Sequence, residues 1–82
     1  MNEPYPIVEK SGAGHTILNI GFLPVIDTNL DCQIFKVIGE NISHPYRVRL
    51  IDRTTREVGP QVRCFKTLAK AARLFERKEI TW

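Results

Sequence analysis

Residues 46–78, YRVRLIDRTTREVGPQVRCFKTLAKAARLFERK, constrain the fold of this chain more than any other stretch. Tyr46, Val48 and Leu50 alternate with Arg47, Arg49 and Ile51. A period of two with β-branched and aromatic members predicts a half-buried strand. Asp52 to Arg56 is polar and fits a hairpin loop. Glu57 to Phe65 then returns, with Val58, Val62 and Cys64 as its apolar members. Gly59-Pro60 interrupts this second strand. Proline has no N–H to give to a ladder, so the strand is expected at a sheet edge or bulged there. A helix follows at once. Thr67 is a suitable N-cap, because its hydroxyl can accept a bond from a free backbone amide. Leu68, Ala71, Ala72 and Phe75 recur at helical spacing and form one apolar face. That face is expected to pack on the side of the sheet carrying Val48, Leu50, Val62 and Cys64. Lys70, Arg73 and Arg77 fall on the opposite side of the helix, and Arg77 and Lys78 suit the negative end of its dipole.

The remainder of the chain supplies more strands. Thr16 to Leu23 and Cys32 to Gly39 are apolar and β-prone, and His44-Pro45 disfavours helix before Tyr46. The expected order is strand 16–23, strand 32–39, strand 45–52, strand 56–65 and helix 67–78. Short connections suit an antiparallel meander. Eighty-two residues make one domain, 1–82. Its expected class is α+β: a small antiparallel β-meander of three to four strands, spanning 16–65, packed against one C-terminal α-helix. Residues 1–14, with Pro4, Pro6, Gly12 and Gly14, are expected to be loosely ordered, although Pro6-Ile7-Val8 can add a short edge strand. No apolar run is long enough to form a membrane-spanning helix. The N-terminus lacks the basic-then-apolar pattern of a secretory signal. The expectation is a soluble cytoplasmic protein with no membrane partner.

The residue types that carry chemistry are sparse. Cys32 and Cys64 have no paired ligand at the short spacing of a structural zinc site. Both sit in strand patterns and are expected as buried, reduced, metal-free thiols. Ser11 and Ser43 stand near His15 and His44, with no carboxylate partner apparent in sequence. Gly12-Ala13-Gly14 lacks the strand before it and the Gly-Lys-Ser/Thr after it that a phosphate loop needs, so a turn is the simpler reading. No catalytic residues, no metal and no cofactor are expected. Tyr5, Phe22, Phe35, Tyr46, Phe65 and Phe75 read as core or rim packing. Phe35 and Phe65 are the candidates for an exposed aromatic platform.

Charge is divided unevenly. Residues 1–45 hold Lys10 and Lys36 against Glu3, Glu9, Asp27, Asp31 and Glu40, whereas residues 46–78 hold ten of the twelve Lys and Arg. An acidic front half and a basic back half fit an anionic partner, although a basic stretch also serves simply as a solvated face. The helix start adds a pattern: Phe65, Thr67, the Ala71-Ala72 pair and Phe75, preceded by three strands. In this pattern residues 32–78 resemble the plant ethylene-response-factor DNA-binding domain and the arm-type DNA-binding domains of phage and transposon integrases. Cys64 stands where a glycine usually precedes that helix start, and Trp82 is the one tryptophan. The resemblance implies DNA read from the exposed sheet face, here by Arg47, Arg49 and Arg63. The expected function is a non-enzymatic module that binds nucleic acid through the 45–65 hairpin. Arg53, Arg56 and Lys66 would neutralise phosphate, and Arg47, Arg49 and Arg63 would face a groove. The alternative is a small accessory or inhibitor protein that docks an acidic partner protein on the same face or along an exposed strand edge.

Overall fold

The computed structural model describes residues 5–12 and 14–82. Five antiparallel strands follow one another in space as in sequence: β1 (Val8–Lys10), β2 (Thr16–Pro24), β3 (Leu30–Ile38), β4 (Tyr46–Asp52) and β5 (Val58–Phe65). One helix, α1 (Leu68–Arg77), closes the order. The meander and the C-terminal helix match the α+β expectation, with five strands in place of three or four. The added strand is β1, which begins at Val8 instead of Pro6 and pairs Val8, Glu9 and Lys10 with Leu18, Ile17 and Thr16. From Tyr5 onward the front segment is fastened to the sheet: Tyr5 is 5% exposed, and its hydroxyl donates to Asp31 Oδ2 at 2.6 Å. The loose order expected at residues 1–4 and at Ala13 lies outside the described residues.

The β4–β5 turn is held by its own side chains. Asp52 Oδ1 accepts the backbone N–H groups of Thr54 and Thr55 at 2.9 and 3.0 Å. This is the usual work of an aspartate opening a turn. The same hydrogen bonds hold the Asp52 carboxyl below its ordinary value. Helix α1 starts as its sequence indicates. Thr67 is extended, and its hydroxyl accepts from the Lys70 N–H. Its end is less usual. Lys78, with φ 52°, takes the left-handed cap position that glycine normally fills, and the Lys78 and Glu79 N–H groups bond back to Phe75 and Leu74.

The main core lies between α1 and one face of the sheet. Cys32 and Ile34 from β3, Val48 and Leu50 from β4, Ala71 from α1 and Ile80 beyond it form the buried cluster. Ala72, Leu74, Phe75, Tyr46 and Phe65 pack around it. Ala71 has no exposed surface, so the absence of a longer side chain there is what lets α1 lie close to the sheet. Three members of the expected interface are placed elsewhere. Leu68, at the start of the helix, is 44% exposed. Val62 and Cys64 pair directly with Arg49 and Arg47, and directly paired residues share a face. They therefore belong to the side away from α1, on the outermost strand, where both are exposed. Cys64 is thus an exposed thiol, contrary to expectation. Cys32 is fully buried, and burial pushes its thiol up to about 11 against the opposing charge of Lys78.

The other face is concave. Ile20 of β2 has no partner between the Asn19–Phe35 and Gly21–Ile34 pairs, and such a bulge bends and twists the strand that carries it. A second irregularity sets Gly59, Pro60 and Gln61 against the single residue Leu50. The expected proline effect is seen in both its forms, since β5 is an edge strand and is bulged at Pro60. The sheet curls far enough that Glu9 on β1 reaches Arg49 on β4 at 3.5 Å.

Candidate nucleic-acid interface

Four of the six expected contact residues are occupied within the molecule. Arg49 is the clearest. Its Nε donates to Gln33 Oε1 at 2.8 Å, its guanidinium lies 4.4 Å over the Phe35 ring, and its Nη2 faces Glu9. The side chain is 13% exposed. Burial lowers its pKa, and the charge of Glu9 opposes that. Gln33 in turn donates to Asn19 Oδ1 at 3.0 Å, so a polar chain crosses three strands at the centre of the concave face.

Arg53 lies at the end of the same face. Its Nε and Nη2 both donate to Asp31 Oδ1, at 3.2 and 2.8 Å. The other oxygen of Asp31 accepts from Tyr5. Burial alone would raise the Asp31 carboxyl. The hydrogen bonds from Arg53 and Tyr5 and the nearby positive charge outweigh it and hold the carboxyl below its ordinary value. Tyr5 responds in the opposite sense. Burial, and then the bond to a carboxylate, push its hydroxyl up to about 12. Arg56 stacks over the Tyr5 ring at 5.0 Å, and Arg47 Nε donates to the His44 carbonyl at 3.1 Å. Tyr5, Glu9, Arg49 and Arg56 border a cavity of about 360 Å³ on this side.

The remaining pair behaves differently. Arg63 is paired with Val48, which places it on the helix side of the sheet. The register therefore separates it from Arg47 and Arg49, with which it was expected to share a face. Both Arg63 and Lys66 are exposed, and neither forms an ion pair with a described residue.

Those two residues lead to a surface that was not expected as the site. Lys70, Arg73 and Arg77 follow the i, i+3, i+7 spacing of one helix face. With Phe65, Leu74 and Glu79 they line an open groove of about 330 Å³ between α1 and the end of β5. Phe65 is half-buried and packs against the main core, so the apolar floor is fixed by the fold. Lys70 and Arg73 make no ion pair to a described residue. Arg77 sits 3.6 Å from Glu79, with both side chains mostly exposed. Exposed pairs of this kind hold together by about 0–1 kcal/mol, so Arg77 remains open to a stronger anion. The signal for this surface was present in the sequence as the polar side of the α1 pattern.

No His, Cys, Asp or Glu group suited to holding a metal ion occurs among the described residues. None of the described helices is long and apolar enough to cross a membrane. Comparison of the chain with protein-family models, with curated proteins and with solved structures found no match.

Proposed function

We propose that this chain is a non-enzymatic module that binds nucleic acid, gripping phosphates with α1 instead of the β4–β5 hairpin. The observation that carries the proposal is the groove lined by Lys70, Arg73 and Arg77 together with Phe65, Leu74 and a single carboxylate, Glu79. Arg63 and Lys66, exposed at its near end, extend the same positive surface. Phosphate contacts supply most of the sequence-independent affinity for nucleic acid, and each needs a cation whose charge is not already balanced. On the hairpin face Arg49 and Arg53 are balanced by Glu9 and Asp31. Using them would mean breaking half-buried contacts. The family resemblance supports the partner class, and the charge distribution moves the contact surface. The proposed setting is the cytoplasm.

The proposal is checked by fluorescence anisotropy with a labelled oligonucleotide. Arg73→Glu is expected to weaken binding about ten-fold or more, since it both removes and repels a phosphate contact. Arg47→Ala, on the opposite side of the sheet, is expected to change it by less than about two-fold. The reverse order of effects would return the interface to the hairpin. A protein that ignores oligonucleotides but retains an acidic protein partner would favour the accessory or inhibitor reading.

A further inference from the structure

The groove beside α1 has a shape as well as a charge. Its cavity of about 330 Å³ sits at the lower end of the roughly 300–1,000 Å³ that pockets for small molecules occupy. It is an open groove whose apolar lining is Phe65 and Leu74, the half-buried members, and whose charged lining is Lys70, Arg73, Arg77 and Glu79, all exposed. We infer that this groove takes single-stranded nucleic acid, with an unpaired base against Phe65 and the flanking phosphates on the cations of α1. The inference rests on the nucleic-acid reading above and narrows it to a substrate class.

Three observations favour a single strand over a duplex. In a duplex the bases are stacked and paired, so the half-buried apolar lining of the groove meets no free base face. A single strand offers a base and a phosphate from the same nucleotide, which matches a groove with apolar residues set low and mostly cationic residues exposed around them. The outward side of α1 is also poorly suited to a major groove. Glu76 is exposed there, one residue from Arg77, and would meet the phosphate walls of a duplex. Finally, Phe65 is set by β5 and by the core, so its ring does not have to be ordered when a base arrives. A platform that is rigid beforehand binds with less loss of freedom.

Charge complementarity selects an anion but does not by itself distinguish nucleic acid from an acidic peptide. The half-buried apolar lining and the spacing of the cations along α1 favour the polymer that alternates a flat apolar group with a charge. Oligothymidylate, oligouridylate, a duplex of the same length and polyglutamate are therefore the probes.

The test is equilibrium titration of the full chain with these four, each about a dozen units long, at about 50 mM salt. The expected result is single-strand affinity at least ten-fold above duplex affinity. Oligothymidylate and oligouridylate differ in the sugar 2′-hydroxyl and in the base 5-methyl, and tighter binding of either one than of duplex supports the inference. Phe65→Leu keeps most of the floor volume and removes the ring. It should weaken the single strand by about 5- to 150-fold, the range of losing one stacked base, with little change for duplex. Because Phe65 also touches the core, Lys70→Glu serves as a second variant, at an exposed position where folding is not at stake. Duplex binding that equals or exceeds single-strand binding would overturn the inference and leave the wider reading in place. Polyglutamate binding as tightly as the oligonucleotides would overturn it in favour of an acidic peptide. Binding to none of the four would remove the nucleic-acid reading itself.

Discussion

Leu50→Ala is expected to lower the free energy of unfolding by about 2–5 kcal/mol, the range for truncating a buried leucine. Leu50 is 3% exposed and lies with Val48, Cys32, Ile34, Ala71 and Ile80 in the cluster under α1. The cavity left by a smaller side chain is filled only in part by relaxation there, because the site is closed by the sheet on one side and the helix on the other. A domain of this size has about 4–12 kcal/mol in total, so the loss is a large share of its stability. Urea melts followed by far-ultraviolet circular dichroism give the measurement. Val62→Ala is the matched comparison. Val62 is 40% exposed on the outer strand, away from α1, and its truncation should stay within about 0.5 kcal/mol. Equal effects at the two positions would contradict the assignment of faces.

The second large effect is on alkaline stability. Tyr5 has its hydroxyl pushed up to about 12 in the folded chain from an ordinary 10.0. The folded state therefore holds that proton more tightly than the unfolded state. The stabilisation is complete below the unfolded value and is lost as pH rises through the folded one. Two pH units correspond to about 2–3 kcal/mol, declining between roughly pH 10 and pH 12. Asp31 acts with the opposite sign. Its carboxyl is depressed, so its contribution is present above the ordinary carboxylate value and is lost as pH falls through the folded one. Tyr5→Phe should flatten the alkaline limb relative to the parent while leaving most of the acid limb. Other groups titrate in the same alkaline range, so the difference between the two proteins is the quantity to read. Parallel curves would mean that Tyr5 is not seated against Asp31.

Much of this fold was legible in the sequence because its periods are clean. Alternation along Tyr46–Asp52 and the Thr67 cap with its apolar stripe correspond to β4 and α1 within a residue or so. What alternation cannot state is which face a strand turns inward. Val58, Val62 and Cys64 do share a face, but the 53–57 turn pairs Val58 with Ile51 and so directs that face away from the helix; the bulge at Gly59-Pro60-Gln61 adds two residues and leaves the parity unchanged. A slip of one position exchanges the two faces of a strand, which is why Arg63 parted from Arg47 and Arg49. Non-local pairing hid the rest. Nothing near Arg49 in sequence indicates that Glu9, forty residues earlier, would balance it, or that Tyr5 and Asp31 would engage Arg56 and Arg53. The α1 cations escaped this entanglement because a helix displays its polar side regardless of what the sheet does.

Phosphate binding by the cationic groove on α1 is tested most directly by the salt dependence of oligonucleotide binding in the parent chain and in a Lys70→Ala/Arg73→Ala variant. Each phosphate neutralised on a single strand contributes about −0.7 to the slope of log affinity against log salt. If Arg63, Lys66, Lys70, Arg73 and Arg77 all take part, the slope should lie near −3.5 and fall to about −2 in the variant. An unchanged slope in the variant, or no binding by the parent at about 20 mM salt, where phosphate contacts are strongest, would contradict the account.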